Sequence, residues 1–204
     1  MHFAIAGNIG AGKTTLTELL AKHYGWQPHF EDVADNPYLD DFYANMERWS
    51  FNLQVYFLNS RFRQIIDFRQ SEKDIIQDRT IYEDAFIFAP NLHRMGLLSS
   101  RDFQNYQSLF ALMETFIQPP DLLIYLRSSI SNLVKQIQKR GREYENSISI
   151  DYLNKLNERY EEWISTYDKG KLLIINVDDI DFVQNKEDLG IIIGKIDAQI
   201  YGLF

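Results

Sequence analysis

The sequence predicts an α/β fold in which a mostly parallel β-sheet is covered by helices on both faces, and three observations predict it. Short apolar runs at residues 3–6, 75–76, 121–126 and 171–177 alternate with amphipathic stretches, and strands alternating with helices close as a parallel sheet with right-handed crossovers. The run at 171–177 is continuously apolar, as a strand covered on both faces is. The first run leads straight into Gly7-Asn8-Ile9-Gly10-Ala11-Gly12-Lys13-Thr14-Thr15 and then Leu16-Thr17-Glu18-Leu19-Leu20. That is G-x-x-x-x-G-K-[ST] in the strand-then-helix setting the phosphate-binding loop needs.

The chemistry of that loop is local. Glycines let successive backbone N–H groups curl toward one phosphate, and the helix that follows adds the positive end of its dipole. Lys13 is expected to reach the β- and γ-phosphates and the Thr14 hydroxyl to hold Mg²⁺. A nucleoside triphosphate is therefore the expected cofactor.

Composition narrows the class further. A chain of 204 residues, 45% hydrophobic, suits one domain, taken here as 1–204. Cysteine is absent and the four histidines are scattered, which argues against disulfides and a structural zinc site. The start lacks a charged and apolar leader and no segment approaches a membrane span, so a soluble cytoplasmic protein is expected. A formal charge of −8 argues against a general nucleic-acid or anionic-membrane surface. Phosphate must be met by a few placed cations.

Along the chain, 15–24 reads as a helix with Leu16, Leu19 and Leu20 on one face, ended by Gly25. Residues 27–33 form a weak strand candidate, and Pro37 opens a helix through Met46. Residues 49–70 are the longest periodic segment, with Phe51, Val55, Leu58, Phe62, Ile65 and Ile66 at helical spacing. The strand at Ile75-Ile76 delivers Asp78 and Arg79 to its C-terminal end, where ligands sit in an open α/β sheet. Helices are expected at 82–94 and 101–117. The aromatic stripe of the second, with Phe103, Tyr106, Phe110 and Phe116, reads as core or dimer packing. Pro119-Pro120 stops it. A strand at 121–126, helices at 129–140 and 151–167, a strand at 171–177 and a helix at 187–200 complete the chain. The acidic run at 178–181 reads as a solvated loop, or one that covers an adenine ring.

A phosphate loop serves kinases, ATPases and GTPases alike. Asn185-Lys186-Glu187-Asp188 has the form of a guanine-reading N-K-x-D, but it lies beyond its strand in an acidic stretch and no D-x-x-G occurs. A small-molecule kinase is the reading left.

Four further stretches carry more specific information: Phe30-Glu31-Asp32-Val33, Glu47-Arg48-Trp49-Ser50-Phe51-Asn52-Leu53-Gln54, Asp78-Arg79-Thr80, and Lys139-Arg140-Gly141-Arg142-Glu143-Tyr144-Glu145. With the phosphate loop they resemble the deoxynucleoside kinases, over roughly residues 1 to 165, and Asp35-Asn36-Pro37-Tyr38-Leu39 is most similar to the bacterial deoxyadenosine and deoxyguanosine branch. The resemblance implies a three-layer P-loop kinase fold with a five-stranded parallel sheet, a short arginine-bearing lid at about 140–146, ATP with Mg²⁺, and a homodimer packed through helices.

Phosphoryl transfer to an alcohol needs a base, cations around the moving group, and exclusion of water. By resemblance Glu31 is the base, where the residues alone would rather suit a salt-bridged surface glutamate. Asp78 is its rival, placed to hold Mg²⁺ or to take the proton, and is assigned to the metal. Arg79 is expected across the acceptor oxygen and the γ-phosphate. Arg140 and Arg142 flank Gly141 as lid cations, although basic residues before a glycine are also ordinary helix capping. Tyr43 and Glu145 match positions that hold the sugar 3′-hydroxyl. Gln54 and Arg61, two helical turns apart, face the base from one side, and Asp84 is matched as the partner of Arg61. An amide presenting a donor beside an acceptor suits adenine first, with guanine second through Arg61; cytosine offers a similar edge. The expected activity is phosphorylation of a purine deoxynucleoside, against a deoxycytidine-preferring relative, a nucleoside monophosphate kinase or a non-catalytic nucleotide-binding regulator.

Overall fold

In the computed structural model, which describes residues 1–31, 33, 35–68 and 72–202 and of residue 146 the backbone alone, five strands form one all-parallel sheet. They are β1 (His2–Gly7), β2 (Gln27–His29), β3 (Ile75–Asp78), β4 (Leu122–Arg127) and β5 (Lys171–Asn176), in the order β2-β3-β1-β4-β5. The helices are α1 (Lys13–Tyr24), α2 (Leu39–Ala44), α3 (Met46–Phe68), α4 (Ile81–Glu83), α5 (Ala89–Arg94), α6 (Ser100–Glu114), α7 (Ile130–Arg140), α8 (Ile150–Ser165) and α9 (Lys186–Tyr201). None among the described residues is long and apolar enough to cross a membrane.

Successive strand side chains point to opposite faces, which divides the core in two. Phe3, Ile5, Leu122, Ile124 and Leu126 face α1, α7 and α9 through Leu16, Leu20, Leu133, Ile192 and Ile196. Ala4, Ala6, Leu123 and Tyr125 face the helices on the other side through Leu58, Tyr106, Leu156 and Tyr160. β1 lies between β3 and β4, with Ile5 opposite Asp78 and Gly7 opposite Leu126. The order reverses at β1, so a crevice opens at its C-terminal end, where the phosphate loop begins.

Five boundaries differ from the expectations. β2 ends at His29, because only three residues pair with β3 and Pro28 offers no N–H; Glu31 therefore sits in a loop, and Asp32 and Gln70 lie outside the described residues. The helix expected to run from Pro37 through Met46 begins at Leu39 and breaks at Asn45, whose backbone leaves helical geometry while its side chain accepts from Arg48 N at 3.1 Å. The helix at 82–94 begins one residue earlier and contains a π-helical turn, Asp84–Phe88, between α4 and α5. α6 stops at Glu114, short of the expected Ile117. β5 is an edge strand and only Ile175 in it is buried, so its apolar run is half exposed.

The acidic loop after β5 is more than solvated. Asp178 accepts from the Ser129 N–H at 2.8 Å and the Ser128 hydroxyl at 3.1 Å, and Phe182 is buried beneath the phosphate loop. Asn185 caps α9 by accepting from Glu187 N at 2.9 Å, a structural use of the N-K-x-D stretch.

Gly10 has φ +87°, and a Cβ there would lie 2.8 Å from the Leu133 carbonyl oxygen. Gly190, inside α9, would meet nothing within 4 Å. Gly10→Ala should therefore lower the unfolding free energy by about 1–3 kcal/mol through strain and overpacking, while Gly190→Ala should raise it by roughly 0.5–1 kcal/mol. Urea unfolding of the two variants beside the wild type reads both signs.

Candidate active site

The site is one cavity over the C-terminal ends of β1 and β3. Ile9, Gly10, Lys13 and Thr14 line it from the phosphate loop and the start of α1, joined by Glu31 and Arg79, by Gln54, Phe57, Asp84 and Phe88, and by Arg140, Arg142, Tyr144 and Glu145 from the end of α7 and the segment after it.

At the loop end, Gly12 adopts φ +90°, which permits the turn into α1. Lys13 folds back across the loop and donates to the Asn8 carbonyl at 3.0 Å. Burial, with Arg79 nearby, lowers its pKa to about 8, against the pull of Asp78, Glu83 and Glu31. The Asn8 side chain, one of the unspecified positions of the motif, donates to Leu153 O at 3.1 Å and Asn157 Oδ1 at 3.2 Å, which fastens the loop to α8.

The Thr14 hydroxyl donates to Asp78 Oδ2 at 2.5 Å, and Asp78 Oδ1 is buried with no hydrogen-bond partner among the described residues. Two hard oxygen donors brought together beside the loop fit the oxygen preference of Mg²⁺. The curled loop amides, the α1 N-terminus and Lys13 fit a triphosphate.

Arg79 emerges from β3 with φ +68°, a left-handed conformation costing about 1–3 kcal/mol for a residue with a side chain. Its contacts outweigh that, at roughly 1.5–3 kcal/mol for each hydrogen bond to a charged group. Nη1 donates to the Tyr160 hydroxyl at 2.7 Å and lies 3.5 Å from Glu83; Nε lies 3.2 Å from Glu31; and the guanidinium sits 4.5 Å from the Phe88 ring centroid.

Glu31 also accepts from Arg61 Nη2 at 2.7 Å. Burial would raise its pKa, but Arg79, Arg61 and Lys13 outweigh that and hold it down at about 2. Arg61, only 1% exposed, is not among the residues lining the cavity. It lies behind the wall, paired with Glu31 on one side and with Asp84 at 2.7 Å on the other. Arg61 and Asp84 thus meet as expected, and Arg61 touches the candidate base as well.

Gln54 is 3% exposed, with Oε1 lacking a hydrogen-bond partner among the described residues. A buried acceptor facing a cavity awaits a donor. Tyr43 and Glu145 both line the cavity, but Tyr43 stacks on Tyr144 with centroids 5.4 Å apart while Glu145 pairs with both nitrogens of the Arg140 fork. Burial, then Tyr152 and Glu145, raise the Tyr43 phenol well above its ordinary value, so it remains a neutral donor. Arg142 donates to the Tyr144 hydroxyl at 3.0 Å. Gly141 caps α7 in the left-handed region, the ordinary helix-capping use of this segment, and Arg140 and Arg142 on either side of it line the cavity.

Sequence reasoning passed over three contributors. Phe57 and Phe88 look like helix core positions until the cavity is seen. Glu83 was readable as the last member of a T-x-x-E capping box with Thr80, and its carboxylate accepts from the Gly7 N–H at 3.2 Å.

The depressed pKa of Glu31 is a stability statement. Its ionised form contributes stability that is complete above about pH 4.5 and is lost as pH falls through about 2. The stability advantage of wild type over Glu31→Gln should therefore shrink by roughly 1 kcal/mol between pH 7 and pH 3.5 in urea unfolding; an advantage unchanged with pH would mean the ion pairs contribute nothing.

Comparisons with known proteins identify the family. The sequence model described as deoxynucleoside kinase matches residues 3–201. A deoxyadenosine/deoxycytidine kinase of Bacillus subtilis is 39% identical over 199 residues, covering 97% of this chain and 92% of the relative. A deoxyguanosine kinase of Lactobacillus acidophilus is 38% identical over 201 residues, 94% of this chain and 87% of the relative. The solved structure of a deoxyadenosine kinase from M. mycoides, with products dCMP and a flexible dCDP bound, superposes with a TM-score of 0.87 at 29% identity, over 97% of this chain and all of the other. With the phosphate loop, the buried carboxylates and the arginine-bearing segment in one cavity, this chain belongs to the deoxynucleoside kinase family.

Proposed function

We propose that this kinase transfers the γ-phosphoryl group of ATP to the 5′-hydroxyl of a purine deoxynucleoside, deoxyadenosine before deoxyguanosine, giving the 5′-monophosphate and ADP. The observation that carries the reading is that one cavity gathers the phosphate loop, a carboxylate with an arginine, and a buried amide. Those three groups suit triphosphate, 5′-hydroxyl and base in turn.

In the proposed reaction the 5′-oxygen forms a bond to the γ-phosphorus as the bond to the β,γ-bridging oxygen breaks, and Glu31 takes the hydroxyl proton. Arg79 and Lys13 neutralise the transferring group, with Arg140 and Arg142 entering from the lid. Thr14 and Asp78 would hold Mg²⁺, which when bound would neutralise part of the phosphate charge. Tyr43 and Glu145 hold the 3′-hydroxyl, Glu145 exchanging Arg140 for the sugar. Gln54 accepts from the adenine N6-amine and donates to N7, between Phe57 and Phe88. Exposed Leu112 and Phe116, on and just beyond α6, support a homodimer packed through helices.

Cytosine is a second reading with its own support. It presents the same donor beside an acceptor to Gln54, and the Bacillus subtilis relative is named for deoxycytidine as well as deoxyadenosine. A non-catalytic role is disfavoured by the joint presence of Lys13, Glu31, Asp78 and Arg79 in one cavity.

Turnover of four deoxynucleosides with labelled ATP tests the reading, deoxyadenosine being expected to have the highest kcat/KM. Glu31→Gln should lower kcat by roughly 10²-fold or more with nucleoside binding kept; near-normal turnover would transfer the base to Asp78. Replacing Arg61 and Asp84 together by apolar residues should raise thymidine phosphorylation relative to deoxyadenosine, and an unchanged ratio would remove both from base recognition.

A further inference from the structure

Glu83 is wholly buried at 0% exposure and is not among the residues that line the cavity, yet it touches both sides of the transfer machinery. Oε1 accepts from the Gly7 N–H at 3.2 Å and from the Tyr160 hydroxyl at 2.9 Å. Oε2 accepts from the Thr80 N–H at 2.7 Å and its hydroxyl at 3.3 Å. Tyr160 in turn accepts from Arg79 at 2.7 Å. A negative charge has the wrong sign to attract phosphates, and both oxygens are occupied by neighbouring donors, so this carboxylate holds groups in place and does not bind nucleotide.

We infer that Glu83 is a positioning residue for phosphoryl transfer, fixing the first glycine of the phosphate loop and, through Tyr160, the guanidinium of Arg79 at a set separation; the inference rests on the kinase reading of the cavity. Sheet register aligns the two backbones, since Arg79 N donates to Ile5 O at 3.0 Å. The rotatable side chain of Arg79 is held separately, by Glu31 at 3.2 Å, by the Phe88 ring and, at the Nη1 end, by Tyr160 at 2.7 Å with Glu83 itself at 3.5 Å. Tyr160 makes the shortest of these contacts, and it is oriented by the same Glu83 oxygen that holds Gly7. A misplacement of about 1 Å in such a pair costs on the order of 10²-fold in rate.

The test separates the two arms. Glu83→Gln keeps the shape but replaces one acceptor oxygen by an NH₂ group, so a donor faces a donor either at Thr80 or at Gly7 and Tyr160. Tyr160→Phe removes only the hydroxyl, leaving Gly7 bonded and the ring stacked on Tyr125 at 5.8 Å. Expected for Glu83→Gln are a kcat lowered roughly 10²-fold and a raised KM for ATP. Expected for Tyr160→Phe is a kcat lowered roughly 10-fold or more with the ATP KM unchanged. Deoxynucleoside KM should stay within about twofold in both, and kcat is expressed per folded molecule from circular dichroism. Wild-type kcat in either folded variant, or the same rise in ATP KM in both, overturns the inference; if Glu83→Gln does not fold, Tyr160→Phe decides it. The wild-type enzyme run alongside reports on the kinase reading separately, because absence of product there fails that reading, whereas active wild type with unaffected variants fails the positioning role alone.

Discussion

Buried charges in alternating sign hold this site together. Asp84, Arg61, Glu31, Arg79 and Glu83 form one chain of contacts, from 2.7 to 3.5 Å at each step. They come from different parts of the fold: Arg61 from the middle of α3, Glu31 from the loop after β2, Arg79 from the end of β3, Glu83 and Asp84 from the turn that follows. An isolated buried ion costs several kcal/mol, so each member is tolerable only while its neighbours stay in place. Apolar packing brings α3 against the sheet, and the charge chain adds directional contacts that tie α3 to the loop after β2, to the end of β3 and to Asp84 on the cavity wall.

The same chain governs when Glu31 is basic. With three cations around it, its carboxylate is a poor proton acceptor, well below the range suited to a general base at neutral pH. In the proposed reaction a triphosphate on the loop would draw the positive charge of Lys13 and Arg79 toward itself, which would relieve Glu31 and raise its basicity. Lys13 would undergo the complementary change, since phosphates favour its charged form against the burial that lowers it.

Much of this was legible in the sequence where a strong period or a fixed spacing carried it. The phosphate loop, the long helix α3, and Asp78 with Arg79 at the end of β3 stand where the pattern puts them. The buried face of α3, however, is the one that carries Gln54 and Arg61, which the apolar spacing puts on other faces, while Phe51, Val55, Phe62 and Ile66 are only half-buried. Features set by tertiary partners were not legible. β5 reads as a central strand because its residues are apolar, yet its place in the sheet is decided by which strands pair. The break at Asn45 was hidden by a hydrophobic pattern that runs on across it. Phe182 sits in an acidic stretch whose charge suggests solvent, and only the hollow beneath Gly12 explains its burial. Glu83 was a different kind of miss: its capping-box spacing was present, but that spacing marks a helix start and carries no sign that the carboxylate also reaches Gly7 and Tyr160.

The π-helical turn from Asp84 to Phe88 makes chain length itself a property of the pocket. Its wider winding takes the five residues Asp84–Phe88 into a single loop closed by Ala89 N–H on Asp84 O, and Asp84 and Phe88 both line the cavity. Losing one residue here would restore the tighter i→i+4 winding, leaving α4 and α5 facing as before while narrowing the turn and shifting Asp84 and Phe88 relative to each other along the wall. In this stretch the count of residues, as much as their identity, is therefore what selection on the site must preserve, and a relative lacking one residue here has a differently shaped floor to its pocket, whatever its percentage identity.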